Sequence, residues 1–247
     1  MTYDASQSEM IKFKSLESTN DEAQKIIANL RPEEPLWVVA DEQTKGKGRG
    51  KNTWISKKGN LYCSIILPIS FNIKLLPLLS CCSSIAVFDS LSVYIANTNK
   101  LKIKWPNDIL FNNSKLSGIL IENIISNNAS YSIIGIGINI AHSPTNINHE
   151  SICLNDICNK SISLNNILNS LKESFYLNLS YLCKNNADFL INRFKDNSWR
   201  YQKDVKFKFN DNLISGRIID FTNNFEIMIK TANKTQIFNS GEISFNY

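Results

Sequence analysis

From Val205 onward this chain is a succession of short runs in which apolar and polar residues alternate, separated by turn residues. A period of two sends successive side chains to opposite faces of a strand. Val205 to Phe209, Leu213 to Asp220, Phe225 to Lys230, Thr235 to Phe238 and Ile243 to Phe245 therefore read as strands, with Asn210-Asp211-Asn212 among the turns. The stretch has the size of a small all-β barrel. What precedes it mixes helix and strand signals, so the chain must accommodate two architectures. The change falls near Asn197, dividing residues 1–196 from 197–247, and no internal repeat is visible.

Within the first part, Met10 to Leu16 alternates as a half-buried strand does. Ser18-Thr19-Asn20 supplies capping residues and Asp21-Glu22 an acidic first turn, which predicts a helix to about Leu30, ended by Arg31-Pro32. Leu36 to Ala40 and Leu61 to Leu67 are apolar runs of strand length. A helix from about Leu75 to Ala96 is predicted next, with Pro77 in its first turn. Leu101 to Trp105 reads as a strand stopped by Pro106, and Asn107-Asp108 as a turn. Ser117 to Ile125 and Tyr131 to Ile140 read as neighbouring strands joined by the turn Ser126 to Ala129. Ala141 to Ser163 is polar and irregular, and Leu164 to Cys183 and Asp188 to Phe194 have helical spacing.

Composition narrows the class. The 247 residues are 43% hydrophobic and 20% charged, ordinary for a globular protein with a sizeable core. A net charge of +5 suits a nucleotide or an acidic protein partner and is weak evidence for nucleic acid. None of the six cysteines forms a C-x-x-C pair, and only His142 and His149 could add imidazoles, so a zinc site is not expected and the thiols read as free, in a reducing cytosol. His142 and His149 lie in a turn-rich stretch, a poor setting for a catalytic triad. Met1 to Glu9 carries acids and no apolar core, unlike a signal peptide. The greasiest region, Leu61 to Val87, is interrupted by Pro68, Asn72, Lys74 and Pro77 before a membrane-spanning length accumulates. A cytoplasmic protein without membrane partners is the expectation.

Between two predicted strands lies Gln43-Thr44-Lys45-Gly46-Lys47-Gly48-Arg49-Gly50-Lys51-Asn52-Thr53-Trp54, which holds three of the chain's nine glycines, many cations and no acid. Glycines allow positive φ and close backbone approach, so successive N–H groups can converge on an anion as a nest. The spacing fits neither common phosphate loop. Gly46 to Gly50 leaves three residues where a P-loop has four, and Asn52 stands where it needs Ser or Thr. Lys51 stands where a dinucleotide fingerprint has its third Gly. Alone, such a run reads as a solvated basic loop. Three further segments change that weighing: Lys104-Trp105-Pro106-Asn107-Asp108, Lys115-Leu116-Ser117-Gly118-Ile119-Leu120-Ile121-Glu122, and Gly135-Ile136-Gly137-Ile138-Asn139-Ile140. Singly, each has a plain structural reading: Lys104 as a solvated charge, Asn107-Asp108 as a turn, Gly135 and Gly137 as close strand packing.

In this order and spacing, together with Ser18-Thr19-Asn20 and Gly241-Glu242-Ile243-Ser244, the segments resemble the biotin protein ligases from about Lys12 to the end. The loop departs from the family pattern in having Lys47 where many members have Arg, and Gly-Arg-Gly-Lys-Asn-x-Trp where some have Gly-Arg-x-Gly-Arg-x-Trp. Lysine keeps the charge but lacks the bidentate fork. The resemblance implies an α/β (α+β) catalytic domain, a mixed sheet flanked by helices and kin to class II tRNA synthetases, followed by an SH3-like barrel. It implies a two-step reaction: the carboxylate of biotin attacks the α-phosphorus of ATP, giving biotinyl-5′-AMP and pyrophosphate, and a lysine of a biotin carboxyl carrier domain then displaces AMP. Mg²⁺ is expected with the ATP phosphates and no protein ligand for it is assigned.

By the same resemblance, Arg49 and Lys115, assisted by Lys47, offset the meeting of two anions. Ser18, Thr19 and Gln43 match the family's biotin contacts, and Asn20, Asn107 and Asn139 orient the site. Gly46 and Gly48 belong to the phosphate loop, Gly118, Gly135 and Gly137 admit the ligand to the strand backbone, and Trp54 stacks on the adenine or covers it. Asp108 matches the position that helps the incoming amine lose its proton, a purely turn-forming role being the alternative. The glycine loop is expected to order over the adenylate. No DNA partner is expected, because the resemblance begins near Lys12 and leaves no room for the helix-turn-helix of repressor-type members. Two other readings stay open: a lipoate ligase of related fold, and a nucleic-acid-binding protein using the basic loop and tail aromatics Phe207, Phe209 and Phe221, although Phe207 and Phe209 share a face as core residues do.

Overall fold

The computed structural model describes residues 8–126, 129–145, 150–184, 186–210 and 212–244. A seven-stranded sheet, in the order β1-β2-β3-β7-β6-β5-β4, forms the larger part. Its strands are β1 (Glu9–Phe13), β2 (Leu36–Ala40), β3 (Leu61–Pro68), β4 (Leu101–Lys104), β5 (Asp108–Phe111), β6 (Ser114–Ile124) and β7 (Tyr131–Ile138). The β1–β2 pair is parallel and the remaining pairs are antiparallel. The sheet is flanked by α1 (Thr19–Leu30), α2 (Leu78–Ser92), α4 (Leu164–Cys183) and α5 (Ala187–Asn197), with a short α3 (Leu154–Cys158) between. The mixed sheet with flanking helices is the architecture expected from the resemblance.

Strand alternation divides the core into two layers. Leu36 and Val38 of β2, Ile66 of β3 and Ile133 of β7 face α1, where Ala23, Ile26 and Ile27 cover them. Trp37, Val39, Cys63, Ile65, Ile134 and Ile136 face the opposite way, onto α2, α4 and α5. Gly135 and Gly137 continue the α1 face beyond Ile133; only the first turn of α1 reaches this far, through Asn20 against Gly135, while Trp54 lies against Gly137. That bare glycine-lined end of the sheet is where a cavity forms.

The C-terminal strands β8 (Asp204–Phe209), β9 (Asn212–Phe221), β10 (Ile227–Lys230), β11 (Thr235–Phe238) and β12 (Glu242–Ile243) form a five-stranded antiparallel sheet ordered β11-β10-β9-β8-β12. It shares its core with the larger sheet. Trp105 lies 6.0 Å from Phe207 and 6.5 Å from Phe225 by ring centroids, and its indole N–H donates to the Phe225 carbonyl at 3.0 Å. Phe194 of α5 packs edge-on to Phe221 and Phe225. Phe207 and Phe221 are buried and Phe209 packs on Phe238, which uses these rings as core rather than as an exposed base-stacking platform.

Several boundaries differ from the sequence reading. β1 stops at Phe13, because Leu16 instead bridges to Gln43 at the start of the basic loop. α2 is shorter than expected. A 3-10 turn at Ile73–Leu75, capped by the Asn72 side chain, precedes it, and its buried surface ends before the exposed Val93. Asp108 is not confined to a turn: it begins β5, a strand hidden by its turn-forming neighbour. Asn112 and Asn113, with φ of 50° and 70°, then make a tight two-residue connection to β6. Leu154–Cys158 is helical within the stretch read as irregular. Phe225 has a φ of 62°, so β10 begins after it. Met1 to Gln7, Asn127-Asn128, His149, Asp211 and the end of the last predicted strand at Phe245 lie outside the described residues.

All six cysteines are free, and Cys63, Cys81, Cys82 and Cys153 are buried. Burial pushes the Cys63 thiol up to about 12 and raises those of Cys81, Cys82 and Cys153. At about pH 8, where an ordinary thiol is partly ionised, an aromatic disulfide reagent should titrate only Cys158 and Cys183 in the native protein and all six thiols in denaturant. Rapid labelling of Cys63 or Cys82 in the native state would contradict this packing. Among the described residues, no helix is long and apolar enough to cross a membrane.

Candidate functional site

The strand register builds the floor. Tyr62 of β3 pairs with Gly137 of β7, Gly137 with Gly118 of β6, Gly118 with Asp108 of β5, and Asp108 with Lys104 of β4. One lateral row of the sheet thus runs from two bare glycine positions to a carboxylate and an ammonium. In the next row Gly135 stands between Ser64 and Leu120. Side chains at these glycines would collide with neighbours. A Cβ at Gly137 would lie 2.5 Å from the Trp54 ring, one at Gly118 2.9 Å from the same ring, and one at Gly135 2.3 Å from Asn20 Oδ1. Over this floor opens a cavity of about 970 Å³, a size that admits a small-molecule ligand.

One end is built from neutral hydrogen-bonding groups. Ser18, in extended conformation, precedes α1 and does not spend its side chain on capping it. Ser64 donates its hydroxyl to Asn20 Oδ1 at 2.6 Å and lies 2.7 Å from the Thr19 hydroxyl, while Asn20 Nδ2 donates to Glu122 at 2.6 Å. Gln43 accepts from the Thr19 backbone N–H at 2.8 Å and donates to Ser56 at 2.8 Å. Gln43 therefore ties the basic loop to the first turn of α1.

The other end is cationic. Lys115 bends over the missing side chain of Gly118, its Nζ 3.4 Å from where that Cβ would stand, and pairs with Asp108 at 2.7 Å. Its ammonium also lies 5.5 Å from the centroid of the Trp54 ring. Lys104, only 1% exposed, is 3.4 Å from Glu242 of β12. Burial pulls the Lys104 ammonium below the usual lysine range; Asp108 and then Glu242 oppose this, while Lys115 adds to it. Arg49 donates to the Gly241 carbonyl at 2.8 Å, so the loop reaches the C-terminal sheet. Lys47 pairs with Asp21 in α1's first turn, a hydrogen bond that raises its pKa. The loop turns back on itself through Gly48 N–H to the Asn52 carbonyl and Trp54 N–H to the Gly46 carbonyl, with Gly50 near the tip at a φ of 66°.

Ser18, Thr19, Asn20, Gln43, Lys47, Gly48, Arg49, Trp54, Asn107, Asp108, Lys115, Gly118, Gly135 and Asn139 all line this cavity. Gly46 does not. It borders a smaller adjoining cavity of about 570 Å³, and a Cβ there would lie 2.3 Å from the Trp54 carbonyl. Gly46 serves the fold of the loop. The cavity also includes Lys104 and Glu242, which the sequence motifs contain but which have no part in the expected site, and Lys208, which no motif contains. Lys104 is no solvated charge: β4 alternation sends Leu101 and Ile103 to the core and Lys104 to the cavity face. Lys208 and Glu242 are cross-strand partners in the C-terminal sheet, brought in by tertiary packing that no local pattern announces.

Two buried polar atoms in the cavity walls have no partner among the described residues: the Trp54 indole N–H and Asn139 Oδ1. One donor and one acceptor are thus left for something else, since unsatisfied buried groups are costly. Among the described residues there is no group of three or more His, Cys, Asp or Glu able to hold a metal ion.

A sequence model described as the biotin/lipoate A/B protein ligase family matches residues 12–139, slightly more than half of the chain. The chain is 35% identical over 129 residues to a biotin–[acetyl-CoA-carboxylase] ligase of Paracoccus denitrificans, covering 52% of this chain and 53% of that one. It is 39% identical over 137 residues to a bifunctional ligase/repressor of Bacillus subtilis, covering 55% and 41%. The chain thus spans about half or less of these curated relatives. In structure it is similar to the biotin protein ligase of Aquifex aeolicus in complex with biotin and ATP, with a TM-score of 0.77, 25% identity, and 96% and 97% of the two chains covered.

Proposed function

Since this chain belongs to the biotin/lipoate A/B protein ligase family, we propose that it activates biotin with ATP and transfers the biotinyl group to a lysine of a biotin carboxyl carrier domain. The observation that carries this reading is the junction of two unlike ends over one glycine floor: hydroxyl and amide groups at Thr19, Asn20 and Gln43, cations at Lys115, Lys104 and Arg49, and Gly118 and Gly137 paired between them. Neutral donors and acceptors suit a ureido ring; cations suit a carboxylate meeting a phosphate.

In the first step a biotin carboxylate oxygen bonds to the α-phosphorus and pyrophosphate leaves. Lys115 sits where the two anions would meet, with Arg49 and Lys47 on the loop above. In the second step a carrier lysine amine attacks the anhydride carbonyl and AMP leaves. Asp108 is placed to guide that amine and accept its proton. The Trp54 ring, lying over Gly118 and Gly137, covers the floor, with its unpartnered N–H buried close to Gly137. Mg²⁺ would arrive with ATP as part of that substrate, which asks few protein ligands; Asp108 and Glu242 are the carboxylates that line the cavity among the described residues. Residues 1–196 would supply the biotin and ATP site, and 197–247 would close its cationic end through Gly241 and Glu242. The carrier is proposed to be of the acetyl-CoA carboxylase type, met in the cytoplasm.

Incubation with biotin, MgATP and an isolated carrier domain should add one biotinyl mass to the carrier, detected by mass spectrometry. A carrier that stays unmodified, or accepts lipoyl instead, would count against this reading.

Gly135→Ala tests the neutral end separately. The added methyl collides with Asn20 Oδ1 and dislodges it from Glu122 and Ser64. The KM for biotin should rise about tenfold or more, as expected for a broken buried network, with the KM for ATP little changed. An equal rise in both would place Asn20 elsewhere in the reaction.

A further inference from the structure

Asp108 lies between two lysines, and only Lys115 has been assigned a step of the reaction so far. Lys115 holds the carboxylate at 2.7 Å. Lys104 is its cross-strand partner on β4, so both side chains project from the same face of the sheet at neighbouring-strand distance. Lys104 is 1% exposed, whereas Glu242, its other anionic neighbour, is 61% exposed and 3.4 Å away. Water screens a pair with an exposed partner. The attraction between two buried charges is stronger, and the Asp108 side chain is only 13% exposed. Asp108 is the largest single charge that keeps the Lys104 ammonium protonated, with Glu242 acting beside it through charge and a hydrogen bond.

Lys115 faces a conflict under the proposed reaction, on which this inference rests. Its ammonium is committed to Asp108, yet it is the cation best placed for the joining of carboxylate and α-phosphate. If it turns to those anions with nothing in its place, Asp108 is left as a buried negative charge beside them. We propose that Lys104 is the reserve counter-ion of Asp108: as Lys115 leaves for the reacting anions, Lys104 takes over the carboxylate. Lys104 is then a positioning residue. It touches no reacting atom, but it sets how readily Lys115 is released, and it holds Asp108 for the amine that follows. Glu242 anchors it from the C-terminal sheet in the resting state.

The test is a pair of double-mutant cycles with Lys104→Met, which keeps the length of the side chain and removes its charge, and Asp108→Asn. In denaturant unfolding of the ligand-free protein, the two changes should be non-additive by about tenfold in the folding equilibrium constant. Additivity overturns the proposal whatever the reaction proves to be. In biotin-dependent exchange of pyrophosphate into ATP, Lys104→Met should lower the rate about 10²-fold, the scale of a misplaced catalytic group. Adding Asp108→Asn should raise that rate at least tenfold, because Lys115 no longer has a carboxylate to hold it. A double variant as slow as Lys104→Met would mean that Lys104 contacts substrate directly, and would overturn the proposal; so would a single variant as fast as the wild type. Wild-type protein that exchanges nothing would instead refute the adenylation reading, and the unfolding cycle would still decide whether Lys104 is the counter-ion of Asp108.

Discussion

Replacing Lys115 by alanine is expected to lower biotin-dependent pyrophosphate exchange by about 10²- to 10³-fold in rate, the loss seen when one preorganised charge or donor is removed from a developing anion. Three features of its setting support so large an effect. The ammonium is held at a fixed place, over the bare backbone of Gly118 and against Asp108. It is largely shielded from water, with 17% of the side chain exposed. And two further cations of the cavity are committed: Lys47 to Asp21, Arg49 to the Gly241 carbonyl. The melting temperature should change little beside the loss of rate, because Lys104 remains next to Asp108. Exchange within a few-fold of wild type would mean that the anions meet elsewhere in the cavity.

Trp105→Ala should destabilise the fold by about 3–5 kcal/mol, the range for deleting a large buried aromatic side chain. The indole is 1% exposed, contacts Phe207 and Phe225 of the C-terminal sheet, and donates its N–H to the Phe225 carbonyl. Its removal opens a cavity where the two sheets share their core and leaves that carbonyl without its indole donor. Urea unfolding should show a lower midpoint. A loss below about 1 kcal/mol would mean that the junction repacks freely. Because Lys104 and Pro106 flank this tryptophan, the variant should also weaken substrate binding in proportion to its loss of structure.

Much of the site was readable in the sequence because its chemistry is concentrated in short segments. Gly135 and Gly137 fall on one face by strand period alone, and Lys115 precedes Gly118 on the neighbouring strand. What the sequence could not show is which partners those residues take. The row that pairs Gly137, Gly118, Asp108 and Lys104 depends on register across four strands, one of them hidden because Asn107-Asp108 reads as a turn. Lys208 and Glu242 come from the C-terminal sheet, far along the chain, and reach the cavity through packing around Trp105. Gly46 erred the other way: its place in a conspicuous motif suggested ligand contact, while the carbonyl of Trp54 is what needs its small size. In the fold, the periodic helix α4 and the uninterrupted apolar run of β2 were legible to the residue. The start of α2 and the end of β1 were not, since a local cap and a single bridge to Gln43 determine them.

The most direct measurement of the central claim is exchange of labelled pyrophosphate into ATP, with biotin and lipoate supplied in separate reactions. The expected result is exchange that depends on biotin and is absent with lipoate or with neither acid. Exchange supported by lipoate alone, or no exchange with either, would contradict it.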